Sequence, residues 1–199
     1  MGRRLGVFVL VSGLLGAMDA EASRLGFLGV VPDLGGPVAM ALSPDGAHAY
    51  VASGPDGALV VLRRHPRTGM LSFVEAEVDG VGGVTGLGAP AGPRAVDVSP
   101  DGRNVYFAGA AQGTVAVFAR DASAGTLAFV EAKRDGVDGV DGLAGAWSVA
   151  VSPDGRHLYA AGFADHAVAV FARDTTTGGL TFVEAKINGI GGIVGLDDP

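Results

Sequence analysis

The chain has 199 residues, 48% of them hydrophobic, with 34 glycines, 10 prolines and no cysteine. The lack of cysteine excludes disulfides, thiolate metal sites and iron–sulfur clusters. A formal net charge of −7 argues against a nucleic-acid or anionic-membrane partner.

The N-terminus reads as an export signal. Arg3 and Arg4 supply a positive start, Leu5 to Ala17 a short apolar core, and Ala20-Glu21-Ala22 the small residues that a signal peptidase reads. A signal peptide over residues 1–22 is expected, with the mature protein periplasmic, on the cell surface or secreted and without a membrane span. Leu25-Gly26-Phe27-Leu28 then resembles a lone outer strand, so residues 23–37 read as that strand and a connector.

From there the chain repeats itself. Ser43-Pro44-Asp45-Gly46 returns at Ser99 and at Ser152, and Phe73-Val74-Glu75-Ala76 returns at Phe129 and at Phe182. Both markers move by 56 and then 53 residues, so the unit recurs as a whole. The three extra residues of the first copy lie around Pro90-Ala91-Gly92. In the third copy, Val149–Val151 leads into the Ser152-Pro153-Asp154-Gly155 turn. Pro presets φ at the second turn position and Gly tolerates positive φ at the fourth. His157–Ala161, Ala167–Phe171 and Leu180–Ala185 follow as strands separated by turn residues, and nothing has helical spacing. Four antiparallel strands per unit make a propeller blade.

The expected fold is therefore all-β: a partial β-propeller of three four-stranded blades (residues 38–93, 94–146 and 147–199) plus one N-terminal strand. Its strands, such as Val115-Ala116-Val117-Phe118, are apolar on both faces, so each blade needs a neighbour on each side. The expected partners are thus other blades, from the rest of a longer chain or by self-association.

The Ser-Pro-Asp-Gly turn followed by Tyr50, Tyr106 or Tyr159, and the Thr68-Gly69-Met70-Leu71 and Thr177-Gly178-Gly179-Leu180 steps, resemble the lactonase-like seven-bladed propellers. That family includes bacterial 6-phosphogluconolactonase. The pattern is also similar to surface-layer propellers built on Tyr-Val-Thr-Asn repeats. Gly92-Pro93-Arg94 resembles the Gly-Pro-Arg-His entry to a lactonase blade. Where that motif has His, this chain has Ala95, with Ala39 and Ser148 in the other copies.

Residues identical in all copies read as scaffold. Asp45, Asp101 and Asp154 bond nearby backbone in turns, and Glu75, Glu131 and Glu184 are solvated charges on outer strands. His48 and His157 fall at surface strand positions. Residues that break the repeat carry more information. Val38, Arg94 and Trp147 are equivalent at the entry to strand one, and Asp97 stands against Ala41 and Ala150. An Arg94–Asp97 pair with Trp147 beside it, and Asp165 in a loop on the same face, would hold a sugar-like or anionic ligand. The alternative is a structural ion pair and a core-filling Trp147. His166 is a candidate general base on that face. Asp135, Asp138 and Asp141 have the look of a cation site, yet the other copies carry Asp79, Gly82 and Thr85, or Asn188, Gly191 and Val194, so no metal and no cofactor is expected.

Two functions follow. The first is an exported, non-catalytic propeller that serves as a binding or structural scaffold for a carbohydrate or protein ligand. The alternative, implied by the resemblance, is a lactone hydrolase acting on a sugar lactone, with Arg94 binding a carboxylate or phosphate and Asp97 or His166 helping to activate water.

Overall fold

Each Ser-Pro-Asp-Gly turn closes on its own side chains. Gly46 N–H donates to Ser43 O at 2.8 Å, Ala47 N–H to Asp45 Oδ1 at 2.9 Å, and His48 N–H to Ser43 Oγ at 3.0 Å. Gly46 has φ 67°, a left-handed conformation that a side chain would strain. The Ser99 and Ser152 copies repeat the geometry. Such a turn folds the chain straight back into an antiparallel pair, and the first hairpin of every blade starts there.

The computed structural model describes residues 36–53, 57–88 and 92–196. The expected signal peptide, the strand at Leu25–Leu28 and the Pro90-Ala91 insertion lie outside them. The described residues form twelve strands and no helix. Blade 1 holds β1 (Pro37–Leu42), β2 (His48–Ser53), β3 (Ala58–Arg64) and β4 (Leu71–Val78). Blade 2 holds β5 (Pro93–Val98), β6 (Asn104–Gly109), β7 (Thr114–Arg120) and β8 (Leu127–Arg134). Blade 3 holds β9 (Ala146–Val151), β10 (His157–Gly162), β11 (Ala167–Arg173) and β12 (Leu180–Ile187). Each blade is an antiparallel meander in chain order. The innermost strands β1, β5 and β9 lie side by side.

Apolar faces on both sides of each sheet are met by stacking. Tyr50, Leu59 and Val61 of blade 1 pack on Val105, Phe107 and Phe118 of blade 2. Tyr106, Val115 and Val117 of blade 2 pack on Leu158, Ala160 and Phe171 of blade 3. Edge-to-face pairs, Phe118 on Phe129 and Phe171 on Phe182, with centroids 5.6 Å apart in both, close the outer part of each layer. Every residue of β2 and β6 is buried, whereas β10 alternates, with Tyr159 41% exposed.

A buried polar latch crosses both blade junctions. Arg120, at the end of β7, donates from Nε to the Tyr50 hydroxyl at 2.6 Å, from Nη1 to Gly102 O at 2.9 Å and from Nη2 to Asp45 Oδ2 at 2.8 Å. Arg173 does the same one blade on, reaching Tyr106 at 2.6 Å, Gly155 O at 2.9 Å and Asp101 at 3.0 Å. The tyrosine hydroxyls donate onward to Gly125 O and Gly178 O. Burial pushes the Tyr106 phenol up to about 12, against the pull of Arg173. Charged groups this enclosed are tolerable only because nearly every donor has an acceptor.

Two sequence expectations are corrected here. Glu75 and Glu131 are not merely solvated edge charges: Glu75 accepts the Leu127 N–H, and Glu131 accepts the Leu180 N–H at 2.7 Å, each strapping the outer strand of the next blade. Only Glu184 is exposed, paired with Lys186 at 2.7 Å. His48 is not a surface residue. It is 2% exposed, with Nδ1 3.0 Å from Arg120 Nη2.

Candidate functional site

Antiparallel pairing brings three kinds of segment to one face of the arc. Pro93 pairs with Gly109 and Ala146 with Gly162, so the entry to each first strand lies beside the turn between strands two and three. Asp135 N–H donates to Gly113 O at 2.9 Å, which brings the connector between blades to the same end.

Arg94 and Trp147 hold equivalent places at the entries to β5 and β9, and they meet across the blade junction. The Arg94 guanidinium carbon lies 4.4 Å from the Trp147 ring centroid, a cation–aromatic stack. Trp147 is 51% exposed and so is not core filling. Its other neighbour is Phe163, in the turn between β10 and β11, with ring centroids 5.6 Å apart. Phe163 is itself half exposed. Sequence reasoning missed this residue. It replaces Ala110 of the second copy, so the break in the repeat was the available signal. Arg94 Nε is buried without a hydrogen-bond partner, an uncommon state for so strong a donor.

The expected Arg94–Asp97 pair does not form. Asp97 Oδ1 accepts the Val98 N–H and Oδ2 the Val151 N–H, both at 2.8 Å. Its carboxylate ties β5 to β9, so its role here is to hold the two inner strands in register. Asp165 accepts the Ala144 N–H at 2.8 Å and fixes the connector against the turn that bears Phe163. His166 is exposed. With φ 49° and its N–H on Phe163 O at 3.2 Å, it closes that same turn.

The acidic connector is assembled differently from the expected triple. One carboxylate oxygen from each of Asp135, Asp141 and Asp165 lies within 4.8 Å of the others, and Asp138 is not among them. Asp135 Oδ1 accepts the Leu143 N–H at 2.9 Å. Asp79 and Asn188 accept the Leu87 and Leu196 N–H groups in the same way, each at 3.2 Å. The recurring job of this position is to close the connector onto the residue eight positions ahead, and a neutral amide makes the same bond as a carboxylate.

A family model described as lactonase, seven-bladed β-propeller matches residues 35–193. The chain belongs to this lactonase family. Its blades superpose on a periplasmic gluconolactonase from Pseudomonas aeruginosa with a TM-score of 0.65 and 27% identity, covering 79% of this chain and 41% of that one. A candidate 6-phosphogluconolactonase from Bacteroides fragilis gives a TM-score of 0.66 and 25% identity, covering 80% of this chain and 41% of that one. The lactonase-family chain thus spans about two fifths of the length of these relatives. No curated protein matches it. Within the family frame, Ala95 pairs with Ala108 in the β5–β6 ladder and offers no proton-transfer group, whereas Arg94 beside it keeps its side chain turned to the site.

Proposed function

We propose that the propeller to which these blades contribute hydrolyses a sugar lactone, with Arg94, Trp147 and Phe163 forming part of the substrate-binding face. The observation that carries this is the Arg94–Trp147–Phe163 stack, built across two blades in a member of the lactonase family. A guanidinium presents a planar fork of donors to a carboxylate, a phosphate or a developing oxyanion. The exposed aromatic faces suit the apolar side of a sugar ring. Asp97 is committed to two backbone N–H groups, so His166 is the general-base candidate that these blades contribute. The relatives' further length leaves room for others. Export after removal of residues 1–22 belongs to the same proposal, and N-terminal sequencing of the mature protein tests it.

A second reading, the non-catalytic exported scaffold, is favoured by two particulars: Ala95 in place of the motif's His, and the engagement of Asp97. A panel of γ- and δ-lactones of sugar acids separates the two. Turnover that falls at least tenfold in Arg94→Ala, with the fold retained, supports the hydrolase. Saturable binding without turnover supports the scaffold. Neither turnover nor binding rejects both.

A further inference from the structure

Arg94 and Trp147 are each the extra residue of a bulge. Pro93 and Ala95 pair with the consecutive residues Gly109 and Ala108, and Ala146 and Ser148 with Gly162 and Ala161. Neither Arg94 nor Trp147 therefore has a residue opposite it in its own blade. A bulge re-aims its extra side chain out of the regular pleat, and here both side chains meet at the junction. The bulges do not tie one to the other, because the two residues stand on different sheets.

The two contacts of Trp147 are held differently. Within blade 3, Phe163 N–H donates to Gly145 O at 3.2 Å, Ala164 N–H to Ala144 O at 3.0 Å, and Asp165 accepts the Ala144 N–H at 2.8 Å. These bonds fix the turn that bears Phe163 to the run-in of β9, and so to Trp147. Arg94 comes from the neighbouring blade. Among the described residues, the Val151 N–H on Asp97 Oδ2 is the one hydrogen bond between β5 and β9. Asp97 follows Arg94 by three residues and Val151 follows Trp147 by four, so this bond lies roughly 10–13 Å along the strands from the stack. Ala95, Val149 and Val151 pack in one apolar cluster around it. Apolar contact has no direction and resists sliding weakly, whereas a hydrogen bond is directional. At the first junction Ala41 takes the place of Asp97 and Val38 that of Arg94, so neither the clamp nor the stack is built there.

We propose that Asp97 is the positioning residue of the candidate site: by holding the Val151 N–H it sets the slide of β5 against β9 at which the Arg94 guanidinium lies on the Trp147 ring. Asp97 reaches the ligand only through that stack, since both its oxygens are engaged by backbone. Its effect on ligand binding rests on the lactone reading above, whereas its effect on the stack does not. A guanidinium displaced by one ångström from its ring also displaces the donors it offers a ligand, and misplacement on that scale is costly to binding and to catalysis.

The test reads Trp147 emission and near-ultraviolet circular dichroism in the full chain without any ligand. Arg94→Ala defines the unstacked signal. Asp97→Ala is expected to move Trp147 most of the way to that signal. The double variant is expected to match Arg94→Ala alone, because the two residues act through one contact. Glu75→Ala, which deprives the Leu127 N–H of its carboxylate at the first junction, is expected to leave Trp147 as in wild type. A Trp147 signal unmoved in Asp97→Ala, or moved as far by Glu75→Ala, overturns the proposal. Should the alanine variant not fold, Asp97→Asn, with one acceptor for two donors, carries the same test: a partial shift supports the clamp and a wild-type signal overturns it. In a sugar-lactone titration, Asp97→Ala is expected to weaken binding about tenfold or more, and binding equal to wild type counts against the clamp. Lactones that bind no form of the protein remove the lactone reading and leave the ligand-free comparison to decide the role of Asp97.

Discussion

Arg120 and Tyr50 lie 70 residues apart in sequence and 2.6 Å apart in space, guanidinium Nε to phenol oxygen, at the centre of the first blade junction. The hydroxyl both accepts from Arg120 and donates to Gly125 O at 3.0 Å. Tyr50→Phe therefore strands one buried donor and one buried acceptor, and is expected to cost about 1–3 kcal/mol. Tyr159→Phe removes the same group where, among the described residues, no arginine side chain bonds it, and is expected to stay within about 0.5 kcal/mol. Urea unfolding of the two variants checks the contrast; equal losses would mean that the latch adds nothing at the junction.

The latch also sets a pH dependence. His48 faces Arg120, Asp45 and Arg63, and burial together with Arg120 pushes its pKa below the ordinary 6.5. A base with a lowered folded pKa favours its neutral form in the fold, while the unfolded chain takes up a proton below about 6.5. Stability from this group is complete above that value and declines as pH falls toward the folded pKa. The second copy has Asn104 at this place, accepting from Arg173 at 2.7 Å, and an amide does not titrate. His48→Asn is expected to flatten the stability profile on the acid side of about pH 6.5; an unchanged slope contradicts the assignment.

A second acid window lies lower. Burial pushes the Asp45 and Asp101 carboxyls up, but the Ser43 and Ser99 hydroxyls, the turn N–H groups and the latch arginines outweigh it and hold both below the ordinary 3.8. Depressed carboxylates stabilise the fold above the unfolded pKa, and that contribution is lost as pH falls through the folded one. Asp45→Asn is expected to lower the thermal midpoint at pH 7 and to bring it level with wild type at the acid end. A constant difference across pH would show that the charge is not what matters.

Gly125 and Gly69 share a left-handed backbone, with φ 84° and 73°. A Cβ on Gly125 would collide with the His48 ring, whereas one on Gly69 meets nothing within 4 Å. Gly69→Ala is expected to cost about 1–2 kcal/mol from backbone strain alone. Gly125→Ala adds overpacking of about 1–3 kcal/mol. Similar midpoints for the two variants would mean that the His48 contact yields freely.

The connector makes a cheaper prediction. Because Asn188 closes its loop as Asp135 does, Asp135→Asn is expected to leave thermal stability within about 0.5 kcal/mol. Asp135→Ala, which deprives the Leu143 N–H of its acceptor, is expected to cost about 1–3 kcal/mol. A large loss in the asparagine variant would point to a need for the charge itself.

The blades were legible because their signals are local. Turn chemistry sits in four consecutive residues, and the strands between turns are marked by β-branched and aromatic runs. What joins the blades was not legible in the same way. Arg64, Arg120 and Arg173 recur on the same step as the turns, but a repeat aligns each residue with its own counterpart, not with the neighbour it touches. The Arg120–Tyr50 and Glu75–Leu127 contacts each bridge two copies, so identical residues were read as turn or surface groups. At the site, Arg94 and Trp147 showed as breaks in the pattern at one strand position. Phe163 lies in a turn of variable sequence and was passed over. Asp97 also breaks the pattern, and only its backbone partners in the next blade reveal that it holds strands together.

Trp147 is the single tryptophan of the chain, so its fluorescence reports on the candidate site without interference. Titration with gluconolactone and related sugar lactones is predicted to give a saturable change in emission that Arg94→Ala, which keeps the tryptophan, abolishes or weakens at least tenfold. Emission that no lactone alters, or that responds identically in Arg94→Ala, would contradict a lactone-binding face at this end of the blades.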